Sequence, residues 1–361
     1  MAEDSQRHVL VTGGAGFVGS AVCLLLRERH PGWKVTALDN LYRKGSELNL
    51  PRLESAGVEF SQGDVRSRDD LEKIDSIDVL VECSAEPSAL SGIIDDPRFV
   101  VETNLMGAFN CLELARRDDA QFVFISTSRV YPYTRLSEVT LEESETRFDF
   151  ADSQRLPGVS PEGISEDFPI DGARSMYGAT KLAAELLISE YAGSLGLNTV
   201  IDRCGVIAGP WQMGKVDQGV FTFWLLSHYF ERPLSYIGFG GSGKQVRDLL
   251  FVEDFAELVL EQIEYPDRWT GTTLNVGGGR DISLSLMETT RICRDLTGNE
   301  VEISAQAEGR PADVAVYTSD LGRLSQMTDW KPTTGPGEIL ERTFRWIQQD
   351  DELIARTLDF E

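Results

Sequence analysis

The sequence predicts an α/β protein, a doubly wound parallel sheet with a smaller C-terminal lobe. Three observations lead there. Short apolar runs rich in β-branched residues recur through the first half of the chain, stretches of helical periodicity separate them, and a glycine-spaced turn follows the first run. Strands separated by helices pair in parallel through right-handed crossovers. Ligands of such sheets lie over the carboxyl ends of the strands.

The first strand is expected at residues 9–12 and breaks at Gly13. Gly13, Gly16 and Gly19 follow at intervals of three, and Phe17, Val18, Ala21, Val22 and residues 24–26 supply an apolar helix directly after them. Without Cβ atoms the backbone turns sharply, and a diphosphate can rest against the N–H groups and positive dipole end of that helix. A second strand, 34–38, leads into Asp39, about twenty residues further on, the distance of a dinucleotide-binding unit. A carboxylate there accepts both hydroxyls of an adenosine ribose and repels a 2′-phosphate. NAD is favoured over NADP, although Arg43 and Lys44 nearby pull the other way.

Further strands are expected at 58–62, 79–83, 122–126 and 199–203, with amphipathic helices between them. Their carboxyl ends carry Asp64, Ser84 to Glu86, Ser126 to Ser128, and Arg203. From 132 to 173 the periodicity dissolves into polar sequence containing Pro and Gly, which reads as a functional flap or as disorder. After Arg203 the chain is aromatic and Gly-rich at 209–219 and 236–243, and a last helix is expected at 337–349. The division expected is a dinucleotide-binding domain at 1–203 and a mainly substrate-binding lobe at 204–361, part of which returns to the sheet.

Composition bounds the function. A net charge of −25 argues against nucleic acid and anionic membrane as partners, because both would be repelled. The five cysteines are odd in number and widely spaced, as reduced thiols of a cytoplasmic protein are. No Cys or His cluster suggests a metal. No apolar run suggests a secretion signal or a membrane span.

Tyr177 and Lys181, in SMYGATKLAAELL, are four residues apart in a strongly helical stretch, so their side chains share one helix face. A tyrosine is a poor base near neutrality, but an adjacent ammonium favours the phenolate. Tyr177 could then exchange a proton with a substrate hydroxyl as hydride moves. A hydroxyl among Ser126, Thr127 and Ser128 could hold the reacting oxygen, or simply cap the strand end.

The segments GGAGFVG, LDN, GDVR, STSRVY and YGATK, in this order, resemble the extended short-chain dehydrogenase/reductase family over nearly the whole chain. DNLYRKG, VDQG, SGKQVRD and LNVGG are similar to its nucleotide-sugar 2-epimerases. The resemblance implies a Rossmann sheet, bound NAD and a nucleotide-sugar substrate. It makes Tyr177 the proton-transferring residue, Lys181 its electrostatic partner and nicotinamide-ribose contact, and Thr127 the hydroxyl that orients the sugar. It assigns Gly13, Gly16, Phe17 and Val18 to the cofactor diphosphate, and Asp39, Asn40 and Arg43 to the adenosine. Asp64 and Val65 fall at the adenine edge, with Ser84, Ala85, Glu86 and Asn104 toward the nicotinamide. Arg247 and Arg310 fall where relatives clamp the substrate diphosphate, as a bidentate guanidinium suits. Gln218 falls near the sugar, and Ser128, Arg129 and Arg203 complete the substrate set.

Departures from the family pattern matter as well. Dehydratases carry Asp-Glu after the Thr, and related decarboxylases a Glu one place further; here Ser128 and Arg129 stand there, and Arg129 matches a Lys of the 2-epimerases. Glu82, Cys83 and Glu86 replace the apolar or His residues usual after the fourth strand. The function expected is inversion of carbon 2 of a CDP- or other NDP-hexose through a keto sugar. Alternatives are 4-epimerisation or another NDP-sugar oxidoreduction, and a catalytically silent NAD-binding protein. A homodimer is implied by the resemblance, through helices carrying Leu105, Phe109 and Leu112, and Leu182 and Leu186; the monomer's own core explains those faces equally.

Overall fold

The strand His8–Thr12 (β1) is buried along its whole length, as a strand covered on both faces must be. The structure, a computed structural model, describes residues 6–88, 90–93, 95–214 and 218–358. Around β1 lie Lys34–Asp39 (β2), Glu59–Gln62 (β3), Val79–Glu82 (β4), Gln121–Thr127 (β5), Thr199–Cys204 (β6) and Thr272–Val276 (β7). They form one seven-stranded sheet in the order β7-β6-β5-β4-β1-β2-β3. β1 pairs in parallel with β2 and β4, as β2 does with β3 and β4 with β5, and Thr12 stands opposite Leu38 on one side and Glu82 on the other. The fold class is therefore the one expected. The strand order reverses between β1 and β4, and the crevice beyond their carboxyl ends is where this topology leaves room for a ligand.

Two compact units divide the chain. One comprises the described residues up to Thr127, Met176–Arg203 and Val252–Leu274; the other comprises Ser128–Ser175, Cys204–Phe251 and the described residues from Asn275 onward. In the first unit, Leu10, Leu38, Leu80, Phe122 and Phe124 of the sheet pack against Ala108, Cys111 and Leu112 of the helix Gly107–Asp118 (α2) and Ala184 and Ile188 of Met176–Leu195 (α3). Each fully buried Leu or Phe contributes about 1.5–3 kcal/mol. The helix Phe17–Arg29 (α1) packs along Val252–Glu264 (α4), part of the segment that returns to the sheet.

In the second unit, Val246–Phe251 runs parallel to Val206–Ala208 and Val316–Tyr317 and antiparallel to Ser283–Ser285. The stretch 132–173 belongs here. It forms two small hairpins, Leu141–Glu143 with Phe148–Phe150 and Val159–Ser160 with Gly163–Ile164. Phe148 N–H donates to the Lys244 carbonyl at 3.0 Å and Ile164 N–H to that of Thr318 at 2.8 Å. Asn275 Nδ2 donates to the Ile164 carbonyl at 2.8 Å. Strands of two or three residues are too short to leave a periodic signal, which is why the stretch shows no periodicity and reads as a flap or as disorder. The last helix begins at Pro336 and is followed by Asp351–Leu358.

No disulfide joins Cys23, Cys83, Cys111, Cys204 or Cys293. Among the described residues no helix is long and apolar enough to cross a membrane, and no group of His, Cys, Asp or Glu has the arrangement of a metal site.

Candidate active site

The glycine turn is a cradle that side chains would fill. Gly13 has φ +62°, and a Cβ there would stand 3.0 Å from the Cys83 carbonyl and Ser84 nitrogen. A Cβ on Gly14 would lie 2.7 Å from Ala37, and one on Gly19 2.3 Å from the Gly13 carbonyl oxygen. Gly16 is the N-cap of α1; no side chain caps the helix and its first turn, which opens with Phe17 and Val18, holds no acidic residue. The N–H groups and positive end of α1 are therefore left uncapped by any side chain, as an anion site requires. Asp39 is buried at the end of β2; its Oδ2 accepts from Ala15 N–H at 3.1 Å and its Oδ1 from Leu41 N–H at 2.8 Å. Burial pushes this carboxyl up while those N–H dipoles pull it back. The residue expected at a ribose thus also braces the glycine turn.

Beside it, Asp64 accepts from Asn40 Nδ2 at 2.9 Å and pairs with Arg66 at 2.7 Å. Arg66 holds its carboxyl down at about 2. Val65 is buried and its carbonyl accepts from Asn110 Nδ2 at 2.9 Å. Arg43 is half-buried at the start of the following loop. Ser84, Ala85 and Glu86 are half-buried past the end of β4. Asn104 is the bracket for that loop: its Oδ1 accepts from Glu86 N–H at 2.7 Å, and its Nδ2 donates to the Glu86 carbonyl at 3.1 Å and to Thr180 Oγ1 at 3.2 Å. It lies in a π-helical turn, Val101–Met106, a geometry that recurs where a helix is adjusted to place one side chain.

Tyr177 is half-buried near the start of α3, and Lys181 is buried one turn later. The Lys181 ammonium stands 3.3 Å from Glu82 Oε2 and 4.2 Å from the centre of the Phe124 ring. Thr127 is buried at the end of β5. Its neighbour Ser126 donates to Glu185, which also takes the Arg203 guanidinium through two nitrogens. Arg203, expected among substrate groups, is thus engaged inside the first unit.

In the second unit, Ser128, Arg129 and Arg247 line one cavity of about 40 Å³ with Tyr131, Tyr133, Arg174, Ser175 and Tyr317. The described residues that line it include no carboxylate. Arg247 donates to Asp313 Oδ1 at 2.8 Å and to the Val314 carbonyl at 2.6 Å, and burial lowers it to about 10. Arg129 donates to the Ala312 carbonyl at 3.0 Å. Arg310 is half-buried two residues before Ala312, outside the lining. Gln218 precedes Gly219, the left-handed N-cap of Val220–Tyr229; Val216 and Asp217 of the same motif lie outside the described residues.

Glu185, Arg174 and Tyr131 escaped the sequence reading. Glu185 could have been noticed, since it lies four residues beyond Lys181 in an apolar helical stretch. Arg174 and Tyr131 reach the cavity through the tertiary fold and leave no local signal.

The sites fit a dinucleotide in the first unit: a bare helix N-terminus, a glycine cradle and a carboxylate at the end of β2. Comparison with known proteins agrees. The profile of the NAD dependent epimerase/dehydratase family matches residues 9–277. CDP-paratose 2-epimerase of Salmonella typhi is 30% identical over 94% of this chain and 98% of that protein. UDP-glucuronate 4-epimerase of Thermodesulfobacterium geofontis is 28% identical over 96% of this chain and 98% of that protein. The crystal structure of UDP-glucose 4-epimerase from Thermus thermophilus in complex with NAD superposes with a TM-score of 0.74 at 26% identity, covering 94% of this chain and 99% of the other. The chain is therefore a member of the NAD dependent epimerase/dehydratase family.

Proposed function

We propose that the protein is a nucleotide-sugar epimerase that inverts carbon 2 of a CDP- or other NDP-hexose through a transient 2-keto sugar. Reversible hydride acceptance is the chemistry that NAD supplies when bound. Gly13, Gly16, Phe17 and Val18 hold its diphosphate; Asp39, Asn40 and Arg43 its adenosine; Asp64 and Val65 its adenine edge. Ser84 to Glu86, Asn104 and Lys181 serve the nicotinamide side. Tyr177 takes the proton of the sugar's 2-hydroxyl and later returns one, with Thr127 orienting that hydroxyl. Ser128, Arg129, Gln218, Arg247 and Arg310 form the substrate set, Arg247 and Arg310 for the diphosphate end, while Arg203 is committed to Glu185.

The observation that carries this reading is the cavity holding Ser128 and Arg129, where hydroxyls and guanidinium groups stand and, among the described lining residues, no carboxylate does. Dehydration needs an acid and a base beyond the phenol, and that lining offers neither. Similarity to a CDP-paratose 2-epimerase over nearly the full chain supports carbon 2. Inversion at carbon 4 is the second reading, favoured by the similarity to a UDP-glucuronate 4-epimerase. Nucleotide hexoses deuterated at carbon 2 or carbon 4 separate the two. Retention of the carbon 2 label through inversion is expected, without consumption of added coenzyme. Washout of that label into solvent, or inversion at carbon 4, overturns the proposal.

A homodimer in the cytoplasm completes the reading. Leu186 on α3 is 60% exposed and Met106 beside α2 is 45% exposed, whereas Leu112 is buried in the core. Light scattering on the eluting protein tests this, and a monomer mass rejects it.

A further inference from the structure

We propose that Glu82 is a positioning residue for Lys181: it holds the ammonium in place and tempers the field that the ammonium exerts on the Tyr177 phenol. This rests on the reading of Tyr177 and Lys181 as the proton-transfer pair. Glu82 ends β4 at the crevice, opposite Thr12 of β1. Its side chain is 1% exposed and that of Lys181 2% exposed, with 3.3 Å between Oε2 and Nζ. The second oxygen, Oε1, is sealed from solvent and has no hydrogen-bond partner.

An apolar side chain would fill this strand end without any desolvation cost. A buried carboxylate costs several kcal/mol unless an opposite charge compensates it. Lys181 is that charge. Among the described residues the charge of Glu82 also acts on Cys83, next along the chain, and on Cys111 of α2, with Cys23 of α1 beyond Cys83. Burial pushes all three thiols up, so they stay neutral. Burial also pushes Glu82 up, against the pull of Lys181 and of the Ser84 dipoles.

A lone ammonium one helical turn from a phenol acts with its full charge. Paired with Glu82, it presents a dipole, whose field is weaker and falls off faster. The phenol is then acidified less than Lys181 alone would achieve. The pair also fixes where the ammonium stands, because one of its three donors is committed to the sheet while the others stay available.

The test is Glu82→Gln, which removes the charge and keeps the shape. The phenolate absorbance of the purified protein is followed against pH, with Tyr177→Phe subtracted so that one phenol is read. In E82Q the Tyr177 midpoint is expected to fall, since the ammonium's field is no longer offset by the carboxylate; a rise, as an unpaired buried Lys181 sheds its proton, overturns the tempering. The basic limb of the kcat profile should move with it. An unchanged midpoint in folded E82Q, with turnover lost in Tyr177→Phe, overturns the proposal and leaves the epimerase reading intact. Turnover surviving in Tyr177→Phe overturns both. Should E82Q fail to fold, Lys181→Met carries the test. Unpaired Glu82 then holds its proton, and folding stability should decline as pH rises from the ordinary carboxylate range through neutrality; a pH dependence equal to that of the unaltered protein overturns the pairing.

Discussion

Arg203, at the end of β6, and Glu185, on α3, meet in a buried two-point ion pair. Arg203 Nη2 stands 2.7 Å from Oε2, and Nε 3.1 and 3.2 Å from the two carboxylate oxygens. Because Ser126 also donates to Glu185, one carboxylate ties β5, β6 and α3 together beneath the strand ends. Removing one member of such a pair leaves the other charge buried and uncompensated. Glu185→Ala is expected to cost about 3–5 kcal/mol in denaturant unfolding. Glu185→Met with Arg203→Met should cost less than either single change. A double variant as unstable as the sum of the singles would refute the coupling.

The glycine cradle makes a contrasting pair of substitutions. A Cβ at Gly19 meets the Gly13 carbonyl oxygen at 2.3 Å, whereas at Gly193, inside α3, it meets nothing within 4 Å. Gly19→Ala should lower the melting temperature, by a strain of about 1–3 kcal/mol, and weaken NAD binding in a calorimetric titration. Gly193→Ala should raise stability by about 0.5–1 kcal/mol and leave NAD affinity as it was. Unaltered NAD affinity in Gly19→Ala would remove the turn from the cofactor site.

Asp202 is buried on β6, with Gln262 Nε2 donating to its Oδ1 at 2.9 Å. Burial raises its carboxyl from 3.8 to about 7. Below its unfolded value both states hold the proton and stability from this group is complete. Between about 4 and about 7 only the unfolded state is ionised, so stability falls as pH rises, by about 4 kcal/mol at most. Asp248, raised to about 6 by burial, acts in the same sense. Urea unfolding across this window should become flatter in Asp202→Asn. An identical slope in the variant would show that the carboxyl is ionised throughout.

Arg174 lines the cavity three residues before Tyr177 in sequence, and its guanidinium donates to the carbonyls of Ile170 and Gly172. If the cavity takes the nucleotide sugar, Arg174→Met should raise KM by roughly 10- to 100-fold, the loss of one charge-assisted hydrogen bond, with a smaller change in kcat. Steady-state kinetics decide this; an unchanged KM would take Arg174 out of substrate binding.

Much of the first unit was legible because its signals are local. A β-branched run such as 9–12 can satisfy its backbone and bury its side chains only as a strand between two others. Glycines at positions 13, 16 and 19 are written in the chain because Gly13 turns at φ +62° and a Cβ would meet the Gly13 carbonyl oxygen at 2.3 Å from Gly19 and 3.0 Å from Gly16. The four-residue step from Tyr177 to Lys181 fixes a shared helix face whatever surrounds it. Other relationships are invisible at that range. Glu82 and Lys181 are ninety-nine residues apart, and Glu82 read as an oddity in an apolar strand until the sheet placed an ammonium beside it. The hairpins of 132–173 are too short for a period to register.

Periodicity and glycine spacing, read along the chain, determined an α/β protein with a parallel sheet, a dinucleotide turn and a phenol one helical turn from an ammonium. Each of those features is set by backbone geometry within a few residues. Only the tertiary structure decided that Arg203 serves Glu185, that Asp39 braces the turn, that Arg129, Arg174 and Arg247 share a cavity, and that Lys181 has a carboxylate partner. Those outcomes depend on which side chains are brought together out of water across long stretches of chain, and burial of that kind has no local pattern to read.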